Sequence, residues 1–407
     1  MAFGDPSITG EASSGLTVLL VAADVSGDQN GARLADALRQ YAPNVRLIGA
    51  GGCAMREAGV ELAVESEDVS MVGPPSSLGA VRAVFRVWRQ LGRAIAENRP
   101  DAAVLIDNEM LNLLFARKLR SRGVPVAFFF PPQVWFWGRW RLRWIMPMSM
   151  RMLCAFKPEA DFYLNAGADA VWTGHPLRDV VRVRDDAAAA MRSIGLDPNR
   201  PLVVLMPGSR SQEIRFHCSL MTSAALLLRQ KHPDLQFAIP LASESLRTEL
   251  ESQVHASGLQ NVSIYVPRSY AVLSRARAVL QCSGTATIEA ALLGIPSVIV
   301  YQCPRLHHMV ARRLMHVSFI GMPNILLGEM VQPEFFGSRI DSRRLAGELS
   351  SLLIDEKRRG QIRRRLAELP EMLGPTGAVD RAAASVLEML PKPLGEEVRD
   401  RRRARRA

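Results

Sequence analysis

Short apolar runs alternate with helical patterns along this chain, and the rhythm stops and restarts once. Residues 17–23, apolar after Thr17, read as a buried strand, followed by the loop Asp24-Val25-Ser26-Gly27-Asp28 and a helical pattern to about Tyr41. Further strand candidates cover 45–48, 102–106 and 124–130. Runs this short and this apolar fit strands buried on both faces, as in a parallel sheet covered by helices. A polar, charged stretch over 178–201 interrupts the rhythm, which resumes at 202–206, 236–240, 262–265, 278–281 and 297–301. The pattern predicts an α/β chain with two doubly wound, Rossmann-like domains facing each other across a cleft, one over 16–178 and one over 179–373. Residues 1–15 are expected to be a flexible N-terminus, and 374–407 a C-terminal helix with a basic tail. Ligands of such sheets bind at the carboxyl ends of the strands, so the site belongs in the cleft between the domains.

Composition narrows the partners. The 407 residues exceed one ordinary core, and 48% hydrophobic with 22% charged residues describes a globular chain. A formal charge of +11 calls for an anionic partner: nucleic acid, an acidic membrane surface or a phosphorylated substrate. The five cysteines form no C-x-x-C pair, which argues against a disulfide framework or a zinc site and fits a reducing cytosol. No apolar run approaches the roughly 18 residues that span a bilayer, so any membrane contact is expected to be peripheral.

Several segments carry chemistry. The run 202–206 leads into Pro207-Gly208-Ser209-Arg210-Ser211-Gln212-Glu213, where Ser209 and Gln212 suggest a capping box. A helix start presents free N–H groups to an anion, and Arg210 can fork onto phosphate oxygens; a plain capped turn is the alternative. Cys282-Ser283-Gly284-Thr285-Ala286-Thr287-Ile288-Glu289 is a second crowded helix start, with Glu289 placed to accept from ribose hydroxyls. Two such starts in one domain favour a nucleoside diphosphate. Asp107, where the 102–106 run ends, is either a general base or a helix cap. Asp24 and Asp28, around Ser26 and Gly27, either bind sugar hydroxyls or cap a helix. His175 in Gly174-His175-Pro176 either points into the cleft or is structural.

Two segments look membrane-facing. Arg82, Arg86, Arg89 and Arg93 recur at helical spacing beside Phe85, Trp88 and Leu91. Trp135, Trp137, Trp140 and Trp144 interleave with Arg139, Arg141 and Arg143. Tryptophan suits a bilayer interface, and each basic residue contributes about 1 kcal/mol near an anionic leaflet. Packing on the core is the alternative for these helices. No nucleic-acid-binding motif accompanies the basic patches.

Taken in order, these blocks resemble the lipid-A-disaccharide synthases, glycosyltransferases of the GT-B fold. The resemblance rests on 21–28, Ile106-Asp107 with Asn112, Pro132-Gln133-Val134-Trp135-Phe136-Trp137, Thr173-Gly174-His175-Pro176, 205–210, 283–289 and 322–328. It implies an inverting transfer from UDP-2,3-diacylglucosamine to 2,3-diacylglucosamine 1-phosphate in lipid A biosynthesis, with no metal or other cofactor. Asp107 would be the base and Arg210 would stabilise the leaving diphosphate. Gly208, Ser209, Glu213, Ser283, Gly284, Thr285, Thr287, Glu289 and Asn324 would line the UDP-sugar site. Asp24, Ser26, Gly27, Asp28, Asn112 and His175 would lie on the acceptor side. The family further implies peripheral binding to the anionic inner face of the inner membrane, and homodimers.

The chain departs from the family on the acceptor side. The usual Gly-Glu is Ala23-Asp24, a family carboxylate is Met110, another Glu is lost at Pro74-Pro75-Ser76, and the arginine after Trp-x-Trp is Gly138. A paralogue using UDP-N-acetylglucosamine or another lipid acceptor, or a UDP-N-acetylglucosamine 2-epimerase-like enzyme, is the alternative.

Overall fold

The computed structural model describes residues 15–65, 78–267, 269–315 and 318–390. The expected flexible N-terminus (apart from Gly15), the departure at Pro74-Pro75-Ser76 and the arginine tail lie outside these residues.

The first sheet contains β1 (Thr17–Ala22), β2 (Arg46–Gly51), β3 (Glu61–Glu65), β4 (Ala102–Ile106), β5 (Val126–Phe129), β6 (Arg151–Cys154) and β7 (Ala170–Trp172), in the order β3-β2-β1-β4-β5-β6-β7. Every pairing is parallel. The helices that matter for the site here are α1 (Val25–Tyr41), α2 (Cys53–Glu57), α3 (Leu78–Asn98), α4 (Glu109–Arg120) and α5 (Lys157–Asn165). Side chains of β1 and β4 are buried throughout, as expected for parallel strands covered on both faces.

The second sheet contains β8 (Leu202–Met206), β9 (Gln236–Pro240), β10 (Val262–Tyr265), β11 (Ala276–Cys282), β12 (Ser297–Gln302) and β13 (Glu334–Gly337), in the order β10-β9-β8-β11-β12-β13, again all parallel. Its relevant helices are α6 (Ser211–Lys231), α7 (Ala286–Leu292), α8 (Arg305–Leu314) and α9 (Met322–Leu327). Strand order reverses between β1 and β4 in one sheet and between β8 and β11 in the other. A crevice opens at each reversal because the two following connections diverge to opposite faces.

The last helix, α10 (Ala378–Leu387), does not stand apart. Ala382, Ala383, Ala384, Val386 and Leu387 are buried in one cluster with Leu34 and Leu38 of α1, so the chain returns to complete the first domain's core. The two crossings between domains are stitched together. His175 N–H donates to Leu373 O at 2.8 Å, Gly377 N–H to the Asp179 carboxylate at 3.0 Å and Arg381 Nε to Thr173 O at 2.8 Å.

Candidate active site

The wall supplied by the first domain is built at its strand-order reversal. Asp24 follows β1 as the N-cap of α1, accepting from Gly27 N–H at 2.8 Å. Asp107 follows β4 with φ +52, and Asn108 follows with φ +33. Phe130, just past β5, has φ +58. Asp and Asn tolerate the left-handed region, but an aromatic residue there is an outlier, and such strain clusters at functional sites. Asn112 is fully buried and donates Nδ2 to the carbonyls of Ile106 (3.1 Å) and Asp107 (2.8 Å). It therefore supports the Asp107 turn from behind, and its Oδ1 has no partner among the described residues.

Asp28 does not face the cleft as a sugar ligand would. It is buried, and its carboxylate accepts from Gly52 N–H at 2.6 Å, Ala54 N–H at 3.0 Å and Met55 N–H at 3.1 Å. Those bonds dock the start of α2 on α1, so of the two readings of Asp28 the structural one holds. Gly27 meets Asp24 Oδ1 and the Ile106 carbonyl where a Cβ would stand, at 3.0 and 3.7 Å, so it keeps the two strand ends close.

The second domain supplies the facing wall. The helix after β8 begins at Ser211, not Ser209; Arg210 is its extended N-cap, and no side chain caps it. The expected capping box is replaced by Glu213, whose Oε2 accepts from Ser209 N–H at 2.9 Å. Glu213 is thus a brace for the turn. Gly208 has φ +131, and a Cβ there would stand 2.4 Å from Glu213 Cβ, so only glycine fits. The uncapped first turn leaves its N–H groups for an anion. His217, a residue with no local sequence signal, ties this turn to β12. Its Nδ1 pairs with Glu213 O at 2.8 Å and its Nε2 accepts from Gln302 N–H at 2.9 Å.

After β11, Ser283 donates its hydroxyl to Ile320 O at 2.6 Å and buried Thr287 donates to Gly284 O at 2.7 Å. Both hydroxyl protons are therefore used within the protein. Gly284 and Thr285 are exposed, and a Cβ on Gly284 would meet nothing within 4 Å, so this edge of the cleft is open. Asn324 is fully buried and has four partners: Val331 N–H, Gln332 N–H, Gln332 O and Glu334 Oε1. It holds the turn from α9 toward β13 and has no group left to offer a ligand.

The two walls meet. Arg210 Nη2 donates to Asp24 Oδ2 at 3.1 Å across the cleft, and its Nη1 lies 3.8 Å from Glu213 Oε1. Asp107 lies on the same wall as Asp24. Its carboxylate is partly open to solvent but crowded by protein on most sides. That crowding, followed by the Asp24 charge, pushes it up to about 6; Arg210, the Asn108 N–H and the Ser26 hydroxyl oppose the rise. Arg33 of α1 lies in the electrostatic field of Glu289 and Tyr270 of the second domain. Burial raises Glu289, while the Tyr270 hydroxyl and Arg33 act to lower it. Arg33 went unnoticed in the sequence because nothing local ties it to a residue in the other domain.

His175 is buried at the crossing between domains, with the rings of Phe130 and Phe156 each 5.4 Å away. Its Nδ1 accepts from Leu177 N–H at 3.1 Å, which places the ring proton on Nε2. Burial, with Arg33 as a lesser cause, holds it down at about 3. It is neutral, and its ring packs the crossing between the domains. A basic carboxylate and a guanidinium from opposite domains, beside an uncapped helix start, can together deprotonate a hydroxyl and receive a departing phosphate.

Comparison with known proteins identifies the scaffold. The family described as lipid-A-disaccharide synthetase matches residues 18–376. The chain is 38% identical to the lipid-A-disaccharide synthase of Geobacter sulfurreducens, over 93% of this chain and 98% of that one. It is 37% identical to the enzyme of the same name from Myxococcus xanthus, over 92% and 97%. The chain belongs to the lipid-A-disaccharide synthase family. It is a glycosyltransferase of lipid A biosynthesis. Among solved structures, a UDP-GlcNAc 2-epimerase from Neisseria meningitidis bound to UDP-GlcNAc superposes with a TM-score of 0.57 at 13% identity, over 92% of this chain and 100% of that one. At that identity the likeness shows the fold alone, two Rossmann-like domains in the GT-B arrangement.

In this family member the Trp/Arg segment divides between inside and outside. Arg141 is buried, paired with the Glu109 carboxylate and stacked 3.7 Å over Trp137, whose carbonyl it also binds at 3.0 Å. Arg141 is therefore a buried group and not membrane-facing, because a desolvated, paired guanidinium has no reach to lipid, and Trp137 is half-buried beneath it. Trp135 is also turned inward, donating Nε1 to Gln133 Oε1 at 2.8 Å; Gln133 in turn binds Glu159 at 2.7 Å. Burial pushes Glu159 up to about 8 despite its N–H donors. Arg139, Trp140, Arg143 and Trp144 are exposed, as are Phe85, Arg86, Arg89 and Arg93 on α3. The Arg82 side chain lies outside the described residues. Among the described residues no helix is long and apolar enough to cross a membrane, and no group of three His, Cys, Asp or Glu could hold a metal ion.

Proposed function

We propose that this chain transfers the sugar of UDP-2,3-diacylglucosamine to 2,3-diacylglucosamine 1-phosphate, releasing UDP and inverting the anomeric centre. The observation that carries the reading is the meeting of Asp107 and Arg210 at the two strand-order reversals, linked through Asp24. Asp107 takes the proton of the acceptor hydroxyl as its oxygen attacks the anomeric carbon. The bond from that carbon to the diphosphate breaks, and the charge passes to Arg210 and the N–H groups at the start of α6. Arg210 rests on Asp24 until the donor's diphosphate replaces that partner. The reading uses no metal ion. The protein docks on the inner face of the inner membrane through its exposed Trp and Arg side chains, where both acylated substrates reside.

Two tests separate this from the epimerase reading. UDP release in mixed micelles should require the acylated acceptor. Acceptor-independent turnover of a soluble UDP-sugar would favour an epimerase. The second test is the pH profile. A base at about 6 makes kcat/KM fall roughly tenfold per unit below that pH and level off above it. Asp24→Asn keeps the helix cap but removes the like charge, so the acid limb should move to lower pH. An acid limb that stays in place would remove Asp24 from the electrostatics of the base.

A further inference from the structure

Helix α8 carries a surface that the cleft does not use. Leu306, Met309 and Val310 are 69%, 66% and 48% exposed. Their spacing of three and four residues places them on one stripe, and exposed Arg305 and Arg313 stand at its ends. The opposite side of the helix packs inward through His308, edge-on to Phe336 of β13 at 4.7 Å. A contiguous apolar stripe held open to water on a folded domain marks an interaction surface.

Charge says what meets it. No Asp or Glu stands between Glu289 and Glu329, a stretch that contains α8. None stands between Glu109 and Glu159 either, while that stretch holds Arg117, Lys118, Arg120, Arg139, Arg143 and others. The fold brings these two acid-free stretches together from different domains. Gly138 N–H donates to Leu314 O at 3.4 Å, and Trp137 pairs with Met315 in an antiparallel bridge. Beside that seam Trp140 and Trp144 are exposed and meet edge-on at 4.9 Å. Arg117, Arg120 and Arg143 line a shallow pocket with Trp144. Apolar side chains, interfacial tryptophans and arginines drawn from acid-free stretches suit an anionic lipid surface.

We infer that α8 is a second membrane anchor, so that the bilayer is gripped by both domains across the seam at 137–144 and 314–315. The inference rests on the peripheral-membrane reading above and adds the second domain to it. α8 leaves the carboxyl end of β12, on the cleft side of the second sheet, so its docking holds the cleft mouth at the lipid headgroups.

The test is co-sedimentation of the full chain with vesicles of phosphatidylglycerol and phosphatidylcholine, and with phosphatidylcholine alone. Leu306→Ser with Met309→Ser and Val310→Ser should weaken binding to the anionic vesicles by about tenfold or more, with the melting temperature changed little, because these side chains are largely exposed in the free protein. Arg305→Glu with Arg313→Glu should do the same and reduce the preference for phosphatidylglycerol. Trp140→Ser with Trp144→Ser is the comparator. If the tryptophan variant loses binding and the α8 variants do not, the inference is wrong and the membrane reading stands. If none of them loses binding, this surface is not a membrane surface at all. If the α8 variants change only the protein's self-association, measured by sedimentation equilibrium, the stripe is an interface between copies and the inference also fails.

Discussion

Asp107→Asn should lower kcat by about a hundredfold or more at neutral pH, while folding and donor affinity stay near those of the parent. Asparagine tolerates the left-handed backbone that position 107 requires, and it keeps the volume of the side chain. The Asn112 bonds to the Ile106 and Asp107 carbonyls use backbone atoms and survive the change. What is lost is the one group on this wall that burial and the Asp24 charge tune toward neutral pH. Saturating the variant with acceptor should not restore the rate, because the missing step is proton removal. A variant turning over at the parental rate would exclude Asp107 as the base and leave Asp24 as the nearest carboxylate to examine.

Arg210→Ala should cost about a hundredfold to a thousandfold in kcat, the range seen when a charge-stabilising donor is removed from a transition state. Among the described residues the guanidinium forms ion pairs with Asp24 and Glu213 and is largely exposed, so its removal leaves the fold intact. The loss should fall mainly on kcat, since negative charge on the diphosphate grows as the sugar departs. Arg210→Lys should recover part of the rate, because it restores the charge without the fork. An alanine variant with unchanged kcat would leave the uncapped start of α6 to receive the diphosphate alone.

Nine of the thirteen described strands were legible because their apolar runs are short and separated by helical patterns; β3, β6, β7 and β13 went unread because charged residues or very short length hide them. The 102–106 run and β4 coincide, as do 202–206 and β8. Asp107 and Arg210 were placed correctly at strand ends by the same logic. Their meeting across the cleft was not written in any local pattern, since 103 residues of chain separate them. Asp28 was ambiguous for a related reason: its partners Gly52, Ala54 and Met55 follow a whole helix and strand later. Asn324 and Thr287 look like ligand groups in a motif, but their hydrogen-bonding partners are decided by loop conformation. Alternation of Trp and Arg did not separate Arg141, which pairs with Glu109, from Arg139, which is exposed. The return of α10 to the first domain was hidden because an alanine-rich helix docks equally well on either core.

The measurement that bears most directly on the central claim is mass spectrometry of the product formed from UDP-2,3-diacylglucosamine and 2,3-diacylglucosamine 1-phosphate in mixed micelles. The account predicts a tetraacylated disaccharide monophosphate in amounts equal to the UDP released, absent when either substrate is omitted and nearly absent with Asp107→Asn. UDP release without that disaccharide, or a disaccharide made equally well by Asp107→Asn, would contradict it.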